Sequence, residues 1–424
     1  MPRNITIDPV LASRIQNAWS QLDQTRPDLK GQILTGMQYA HLQAVQVAQT
    51  KTAPSVAAAT HTMMLAHSAL TNDGDDVVGS LEAGVLIAVG PDGVIWGTGK
   101  WEQFDPGWIE AFAVFLESLL PFGGIHHFVT TPQTVRIPNT AQIALAGDWG
   151  TGEWRTQKNP APSTRVRQQM IALNPDVTIH LGDVYYSGTA DEEQHLLTSL
   201  WPPAPWGSFS LNSNHEMYSG AKPYFAAISQ APFDKQGGCS YFALENDNWI
   251  IVGLDSAYFS SDGNLYMNGQ IFKDGFPNEQ NAFLLEKGVR AQLDGKKVIV
   301  LTHHNGIDDP GVNTNLLFQQ VMNAFPGDNG PAYWYYGHQH IAAVYKPIGS
   351  KGVQCRCCGH GALPCGKASE LAGSPNIVWH EDRLANDPDI PERVLNGFAV
   401  LKLEGPDIQE VFYDENGGVA WKSS

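Results

Sequence analysis

Hydrophobic and polar positions follow one pattern before about residue 136 and another after it. Residues 5–70 have few closely spaced Gly or Pro residues, and apolar positions predict helices there at Val10–Leu22 and Ile33–Gln49 and, further along, at Trp108–Leu120. Apolar runs alternate over Gly84–Gly99 around a Gly-Pro-Asp-Gly turn, which predicts a β-hairpin. We therefore expect a mostly helical N-terminal region over residues 1–135, to which no motif assigns a role, and a second unit over residues 136–424.

Short apolar strands in the second unit end in polar motifs. The five clearest are Ala141–Ala146, Val177–Leu181, Ser208–Leu211, Val298–Thr302 and Ala332–Tyr336. Ligand sites in α/β sheets form at the carboxyl ends of strands, so we expect the motifs that follow these strands to lie together. Other segments predict additional antiparallel strands: Tyr241–Leu244, Trp249–Leu254, Phe398–Leu403 and Ile408–Tyr413.

The strand ends carry residue types that bind metal ions. They offer two carboxylates, one amide oxygen and three imidazoles: Asp148, Asp183, Asn214, His303, His338 and His340. Such a mixed oxygen and nitrogen set suits Zn²⁺, Mn²⁺ or iron rather than Ca²⁺ or Cu(I). Two ions roughly 3.5–4 Å apart, bridged by a carboxylate, would use all of these ligands and would activate a water for hydrolysis of a phosphate ester.

The net charge of −17 narrows the choice of partners. An acidic surface repels nucleic acid and anionic membranes, so we expect neither as a partner. It also repels a phosphate ester, and with few basic residues metal ions are the natural source of local positive charge. The first 20 residues lack a secretory signal, and the apolar runs are too short to span a bilayer, so we expect a cytoplasmic protein. The substrate that we expect is a small phosphate ester.

The order of the motifs resembles the five-block pattern of the purple acid phosphatases, a branch of the calcineurin-like metallophosphoesterases. The blocks are Gly147–Gly150, Gly182–Tyr186, Asn214–Glu216, Val300–His303 and Gly337–His340. The resemblance covers roughly residues 141–345. It implies a four-layer α/β/β/α sandwich and cleavage of a phosphate monoester by a metal-bound hydroxide.

The resemblance also implies a ligand set for each of two metal ions. One ion would be held by Asp148, Asp183, Tyr186 and His340, and the other by Asp183, Asn214, His303 and His338. Gly150 stands where ordinary members of the superfamily have His, and the Tyr186 phenolate indicates the purple branch, with iron in one site and Fe, Zn or Mn in the other. The alternative for Tyr186 is a core or rim tyrosine, and the neighbouring Tyr185 complicates the choice.

Other residues near the blocks receive roles from the same resemblance. His215 would contact phosphate and protonate the leaving group, because a histidine pKa lies near the working pH. Glu216 would support it, and His304 either faces substrate or orients its loop. Ser213 replaces a Gly of the pattern, which predicts backbone strain if that position requires the freedom of Gly.

Two alternatives to a phosphomonoesterase stay open. A phosphodiesterase with Mn or Zn in both sites would carry the same motifs, and a binding scaffold could keep the fold after losing catalysis. Cys355, Cys357, Cys358 and Cys365 match no common zinc spacing, so we interpret them as buried free thiols. Neither the natural substrate nor the oligomeric state follows from the sequence.

Overall fold

The computed structural model describes residues 9–35, 88–89, 95–96, 107–150, 160–273, 275–327, 329–363, 368, 371–388 and 393–423 of the 424-residue chain. Its helices are α1 Pro9–Thr25, α2 Gly107–Ser118, α3 Pro162–Leu173, α4 Ala190–Glu192, α5 Asn214–Tyr218, α6 Lys222–Ala227, α7 Glu279–Asp294 and α8 Leu316–Asn323. Residues 27–35 are also helical, α4 continues as a π-helix over Glu193–Thr198, and short 3₁₀ turns lie at Asp234–Gln236 and Asp262–Asn264.

The N-terminal predictions are confirmed where residues are described. Helix α1 covers the predicted segment Val10–Leu22, and α2 covers Trp108–Leu120 except for its last two residues. In the predicted hairpin, Ala88–Val89 (β1) pairs antiparallel with Ile95–Trp96 (β2). The connecting turn and the predicted helix beyond residue 35 lie outside the described residues.

The remaining strands form two sheets. They are β3 Thr134–Arg136, β4 Thr140–Ala146, β5 Val177–His180, β6 Ser208–Ser210, β7 Phe242–Glu245, β8 Trp249–Gly253, β9 Lys297–Thr302, β10 Tyr333–Tyr336, β11 Ala342–Tyr345, β12 Gln354–Cys358, β13 Ile377–His380, β14 Gly397–Glu404, β15 Asp407–Asp414 and β16 Val419–Lys422. One sheet has the strand order β16-β15-β14-β4-β5-β6, and the other β13-β11-β12-β10-β9-β8-β7-β3. Strand β3 crosses the predicted boundary at residue 136 and pairs with β7.

Parallel pairing determines where the strand ends lie. Strands β4, β5 and β6 run parallel in the six-stranded sheet, with Leu145 opposite Ile179 and Ile179 opposite Phe209. Strands β8, β9, β10 and β12 run parallel in the other sheet. The carboxyl ends of neighbouring parallel strands meet at one edge of a sheet, so the motifs that follow β4, β5, β9 and β10 are brought to those edges.

The two sheets pack face to face between outer helices. Alternate residues of each strand point to opposite faces, so Ile143 and Leu145 join Ile299 and Leu301 in one buried cluster between the sheets. The other face of β4 packs against α3, and the other face of β9 against α7 and α8. Because both faces of each sheet are covered, the strands carry nearly continuous apolar runs. The structure therefore has the predicted α/β/β/α layers.

Helices α1 and α2 pack together and onto the six-stranded side. Ile15 and Leu22 of α1 belong to the same buried cluster as Phe112 and Phe115 of α2. The Arg14 guanidinium also donates two hydrogen bonds of 2.9 Å to the Glu117 carboxylate. Within the described segments, every helix falls short of the length and apolar character that crossing a bilayer would require.

Candidate metal centre

The ligand candidates converge where the two sheets meet. Asp148 and Asp183 follow β4 and β5 of the six-stranded sheet, and Asn214 is the first residue of α5, shortly after β6. His303 follows β9 of the eight-stranded sheet, while His338 and His340 follow β10. The site thus takes its oxygen ligands from one sheet and its imidazoles from the other.

Several ligand candidates have a left-handed backbone. The φ angles are 60° at Asp148, 69° at Asp183, 67° at His338 and 41° at His340. Each such conformation costs on the order of 1–3 kcal/mol for a residue other than Gly, and such strain persists where the surrounding structure enforces it, often at functional sites. The backbone is therefore bent to aim these side chains inward.

Gly182 shows why one of the motif glycines is required. Its φ is +96°, and a Cβ added there would lie 2.7 Å from Nδ1 of His303. Its neighbour Asp183 begins the turn after β5, so the glycine lets the turn and the His303 ring approach each other.

One group of ligand candidates joins Asp148, Asp183 and His340. His340 Nε2 lies 2.8 Å from Asp148 Oδ1 and 3.7 Å from Asp183 Oδ2. The Tyr185 hydroxyl lies 2.9 Å from Asp183 Oδ2 and 3.4 Å from Asp148 Oδ1, and it also contacts His340 Nε2. A phenol, two carboxylates and an imidazole therefore share one buried volume.

The hydroxyl in this group belongs to Tyr185, whereas the motif spacing selects Tyr186. The backbone of Tyr186 is fixed on both sides, because its N–H donates to Glu192 and its carbonyl accepts from His215. The assignment of Tyr186 as a ligand remains a prediction from spacing, and Tyr185 is the alternative candidate because its hydroxyl contacts this group.

A second group surrounds His303. Nδ1 of His303 lies 2.9 Å from the Leu181 carbonyl oxygen, which can only accept, so neutral His303 presents a bare Nε2. That nitrogen lies 3.0 Å from Asn214 Oδ1 and 3.2 Å from Asp183 Oδ1. The Asn214 amide nitrogen is turned away and donates to the Tyr218 hydroxyl at 3.2 Å. When His303 is neutral, three acceptors therefore face one another, an arrangement that a cation would stabilise.

The donor chemistry of both groups fits metal ions. Two sets of side chains have ligand atoms within 4.8 Å of one another, namely Asp148, Asp183 and His340, and His303, His304 and His338. Asp183 contacts His340 through one oxygen and His303 through the other, so its carboxylate lies between the sets. Burial raises the pKa of Asp183, but the neighbouring imidazoles outweigh burial and lower it overall. Asp183 is thus the anionic centre of the site.

His304 has a different environment from His303. Its Nδ1 lies 2.9 Å from the Ser256 hydroxyl, and its Nε2 lies 2.8 Å from the Tyr266 carbonyl oxygen. Burial lowers the pKa of His304 to about 3, so the ring is neutral at ordinary pH. Of the two roles left open for His304, these contacts favour orienting the loop.

His215 is buried beside the tyrosine pair. Its Nδ1 donates to the Tyr186 carbonyl, and its ring makes an edge contact with the Tyr185 ring at 4.5 Å. Its Nε2 lies 3.9 Å from Asp183 Oδ2. The Nε2 side of the imidazole therefore faces the carboxylate between the two groups.

Ser213 is not strained, contrary to the expectation from the sequence. Its φ of −139° and ψ of 178° are extended, and its hydroxyl caps α5 by accepting from the His215 N–H at 3.0 Å. The same hydroxyl contacts both Asp183 and Glu216. Burial first, and the Asp183 charge second, raise the pKa of Glu216 to about 8. A protonated Glu216 can donate to Ser213, which donates to Asp183, a link that the motif alone does not reveal.

The cysteine cluster lies on a strand that the sequence analysis missed. Cys355, Cys357 and Cys358 are buried free thiols on β12, as predicted, while Cys365 lies outside the described residues. Burial raises the pKa of Cys355 to about 12, so this thiol stays protonated. Strand β12 pairs with β10 on one side and β11 on the other, so the cluster lies between these two strands.

The fold and site together define a two-sheet α/β protein with two neighbouring groups of candidate metal ligands. Residues 141–342 match the family model of the calcineurin-like phosphoesterases. This part of the chain, which contains every ligand candidate from Asp148 to His340, is a calcineurin-like phosphoesterase domain.

Three of the solved structures to which this chain is similar are the following. Purple acid phosphatase PPD1 from yellow lupin (Lupinus luteus) is 13% identical with a TM-score of 0.47, and the match covers 68% of this chain but only 54% of the lupin chain. GAP50, described as the anchor in the inner membrane complex of Plasmodium, is 11% identical with a TM-score of 0.46, and the match covers 67% of this chain and 88% of the GAP50 chain. A dimetal phosphatase from Danio rerio is 14% identical with a TM-score of 0.39, and the match covers 65% of this chain and 95% of the Danio rerio chain. A comparison with curated proteins finds no match.

Proposed function

We propose that this protein is a hydrolase that cleaves phosphate monoesters with two metal ions. The observation that carries the proposal is the position of Asp183, whose two carboxylate oxygens face the two ligand groups at 3.7 Å and 3.2 Å. A carboxylate shared in this way is the arrangement that a two-metal hydrolase needs. The family match of residues 141–342 supports the same class of reaction.

We assign the ligands by their contacts. Asp148, Asp183, His340 and a tyrosine would hold one ion, and Asp183, Asn214, His303 and His338 would hold the other. The Tyr185 hydroxyl contacts the first set, so Tyr185 is our candidate for the tyrosine ligand in place of Tyr186. A phenolate ligand favours iron in that site, with Fe, Zn or Mn in its neighbour. When bound, the two ions would polarise phosphoryl oxygens and lower the pKa of a coordinated water.

The surrounding residues would position the substrate and supply a proton. His215 donates through Nδ1 to a backbone carbonyl, so a proton on Nε2 would be the one available to a leaving group. Its buried ring is held in place by that bond and by the Tyr185 ring. The substrate we propose is small, because the acidic chain offers few basic residues to bind a polyanion.

The test is hydrolysis of paired substrates by protein loaded with known metals. We expect turnover of p-nitrophenyl phosphate to exceed that of bis-p-nitrophenyl phosphate, and elemental analysis to find two ions per chain. Asp183→Asn should lower turnover by more than about 100-fold, since even losing a partner behind a metal ligand costs roughly 10- to 100-fold. The matched control is Asp294→Asn, which removes a half-exposed carboxylate at the end of α7 and should leave activity unchanged.

Each outcome has a defined meaning. Faster cleavage of the diester, with Mn or Zn in both sites, would replace the monoesterase by a phosphodiesterase. Equal activity in Asp183→Asn and wild type would reject catalysis at this site. Inactivity of the metal-loaded wild type on both esters would favour a binding scaffold.

A further inference from the structure

Phe115 of α2 lies next to the wall of the metal centre. Its ring makes edge contacts with the ring of Tyr218 at 5.7 Å and the ring of Tyr266 at 6.2 Å, with interplanar angles of 70° and 89°. All three rings are buried in the cluster that also contains α1 residues Ile15 and Leu22. The N-terminal helices thus reach the catalytic domain through a fully buried aromatic contact.

Both tyrosines that Phe115 touches hold residues of the site. The Tyr218 hydroxyl accepts from the Asn214 amide at 3.2 Å, which turns the amide oxygen of Asn214 toward His303. The Tyr266 carbonyl accepts from Nε2 of His304 at 2.8 Å. An amide that lost the Tyr218 hydroxyl would keep the 3.6 Å contact of its nitrogen with the Met267 sulfur, so its oxygen would be held less firmly toward the cation site.

Further contacts hold α2 in this position. Arg14 of α1 binds Glu117 of α2 through two hydrogen bonds of 2.9 Å. Arg26, just after α1, forms an ion pair of 2.8 Å with Asp262, four residues before Tyr266. The helices therefore contact both segments that support the Asn214 side of the site, the one around Tyr218 and the one around Tyr266.

We propose that Phe115 is a positioning residue for the Asn214 metal site, and that helices α1 and α2 help to hold the residues of this site in place. The proposal rests on the proposed two-metal function and deepens it. Phe115 fixes the Tyr218 ring, the Tyr218 hydroxyl fixes the Asn214 amide, and the amide oxygen faces His303. The contacts of Phe115 lie on the Asn214 side, so the Asp148 side should be affected less.

The experiment compares two buried phenylalanines of the same helix. Phe112 is as buried as Phe115, but its ring contact is with Phe115 at 6.2 Å, one step further from the tyrosines. Binding of Zn²⁺ alone is measured by competition with a colorimetric chelator in wild type, Phe115→Ala and Phe112→Ala. In Phe115→Ala, we expect one of the two ions to bind up to about 10-fold more weakly, because Phe115 lies one step behind Tyr218 and losing the direct partner of a metal ligand costs about 10- to 100-fold. In Phe112→Ala, both affinities should match wild type.

Phe115→Leu and Phe112→Leu keep most of the side-chain volume and extend the test to milder variants. The Phe115→Leu variant should weaken the same ion by a smaller factor, and Phe112→Leu should not. Equal losses in the Phe115 and Phe112 variants, or weakening of both ions alike, would overturn the proposal, because general destabilisation would then explain the data.

A second measurement keeps this proposal separate from the proposed function. Amide hydrogen exchange is followed in metal-free protein at residues 214–218, where we expect faster exchange in the Phe115 variants than in the Phe112 variants. A wild type that binds no pair of ions would reject the proposed function, while the exchange comparison would still decide whether Phe115 holds the Asn214 helix. Equal exchange rates in the two sets would reject the positioning role.

Discussion

At the scale of single residues, Tyr185 and Tyr186 show how side-chain direction distinguishes two candidate ligands. Both follow Asp183 within three positions, yet the hydroxyl of Tyr185 contacts Asp148, Asp183 and His340. The Gly-Asp-x-x-Tyr spacing favours Tyr186. Spacing fixes which residue stands where along the chain, but the course of the turn decides which ring points inward.

The two tyrosines can be distinguished by light absorption. A phenolate bound to ferric iron gives a visible band, so in iron-loaded protein we expect Tyr185→Phe to lose the band and Tyr186→Phe to keep it. Each variant is the other's control, because both remove one hydroxyl from adjacent residues. The reverse result would restore Tyr186 as the ligand, as the motif predicts.

Residue types at the strand ends were predictable for a physical reason. Buried carboxylates and imidazoles are costly without partners, so several of them after apolar strands indicate a shared site. Asp148, Asp183 and His340 meet as this argument expects. Ser213 could not be judged in the same way, because its extended backbone and its hydrogen bonds depend on α5, a helix of only five residues.

At the scale of secondary-structure elements, many strands with apolar runs were predicted, whereas the short strands β3, β11, β13 and β16 and the more polar strand β12 were not. Predicted strands such as Val298–Thr302 appear within one or two residues of their expected bounds. Strand β12 contains Arg356, whose charge argues against a buried strand. Glu410 of the other sheet forms hydrogen bonds of 2.6 Å and 2.8 Å with that guanidinium, and this pairing across the sheets is not visible in a local pattern.

The turn after β5 gives a prediction at the same scale. Gly182→Ala combines a left-handed backbone with a Cβ only 2.7 Å from His303, so we expect strain of about 1–2 kcal/mol plus overpacking of about 1–3 kcal/mol. Gly295→Ala has a similar φ of +67° with open space around its Cβ, and should show the strain alone. Chemical denaturation measures both. Equal losses of stability would mean that the approach of His303 to the turn is not tight.

At the scale of the whole molecule, the net charge of −17 should affect how substrate arrives. The field repels anions, and salt shortens its range from about 30 Å at 0.01 M to about 10 Å at 0.1 M ionic strength. We expect kcat/KM for a dianionic monoester to rise on the order of two- to tenfold over that range. A monoanionic diester serves as the control and should respond less. A fall in kcat/KM with salt would indicate local positive charge that dominates the approach.

The division of ligands between the two sheets has a consequence for how the protein assembles. The six-stranded sheet brings carboxylates and an amide, and the eight-stranded sheet brings imidazoles, so each sheet alone holds half of a binding site. Ions that need both halves can bind with full affinity only after the sheets have docked. Under the proposed two-metal function, metal capture would be a late event in folding, and bound ions would make the two sheets unfold together.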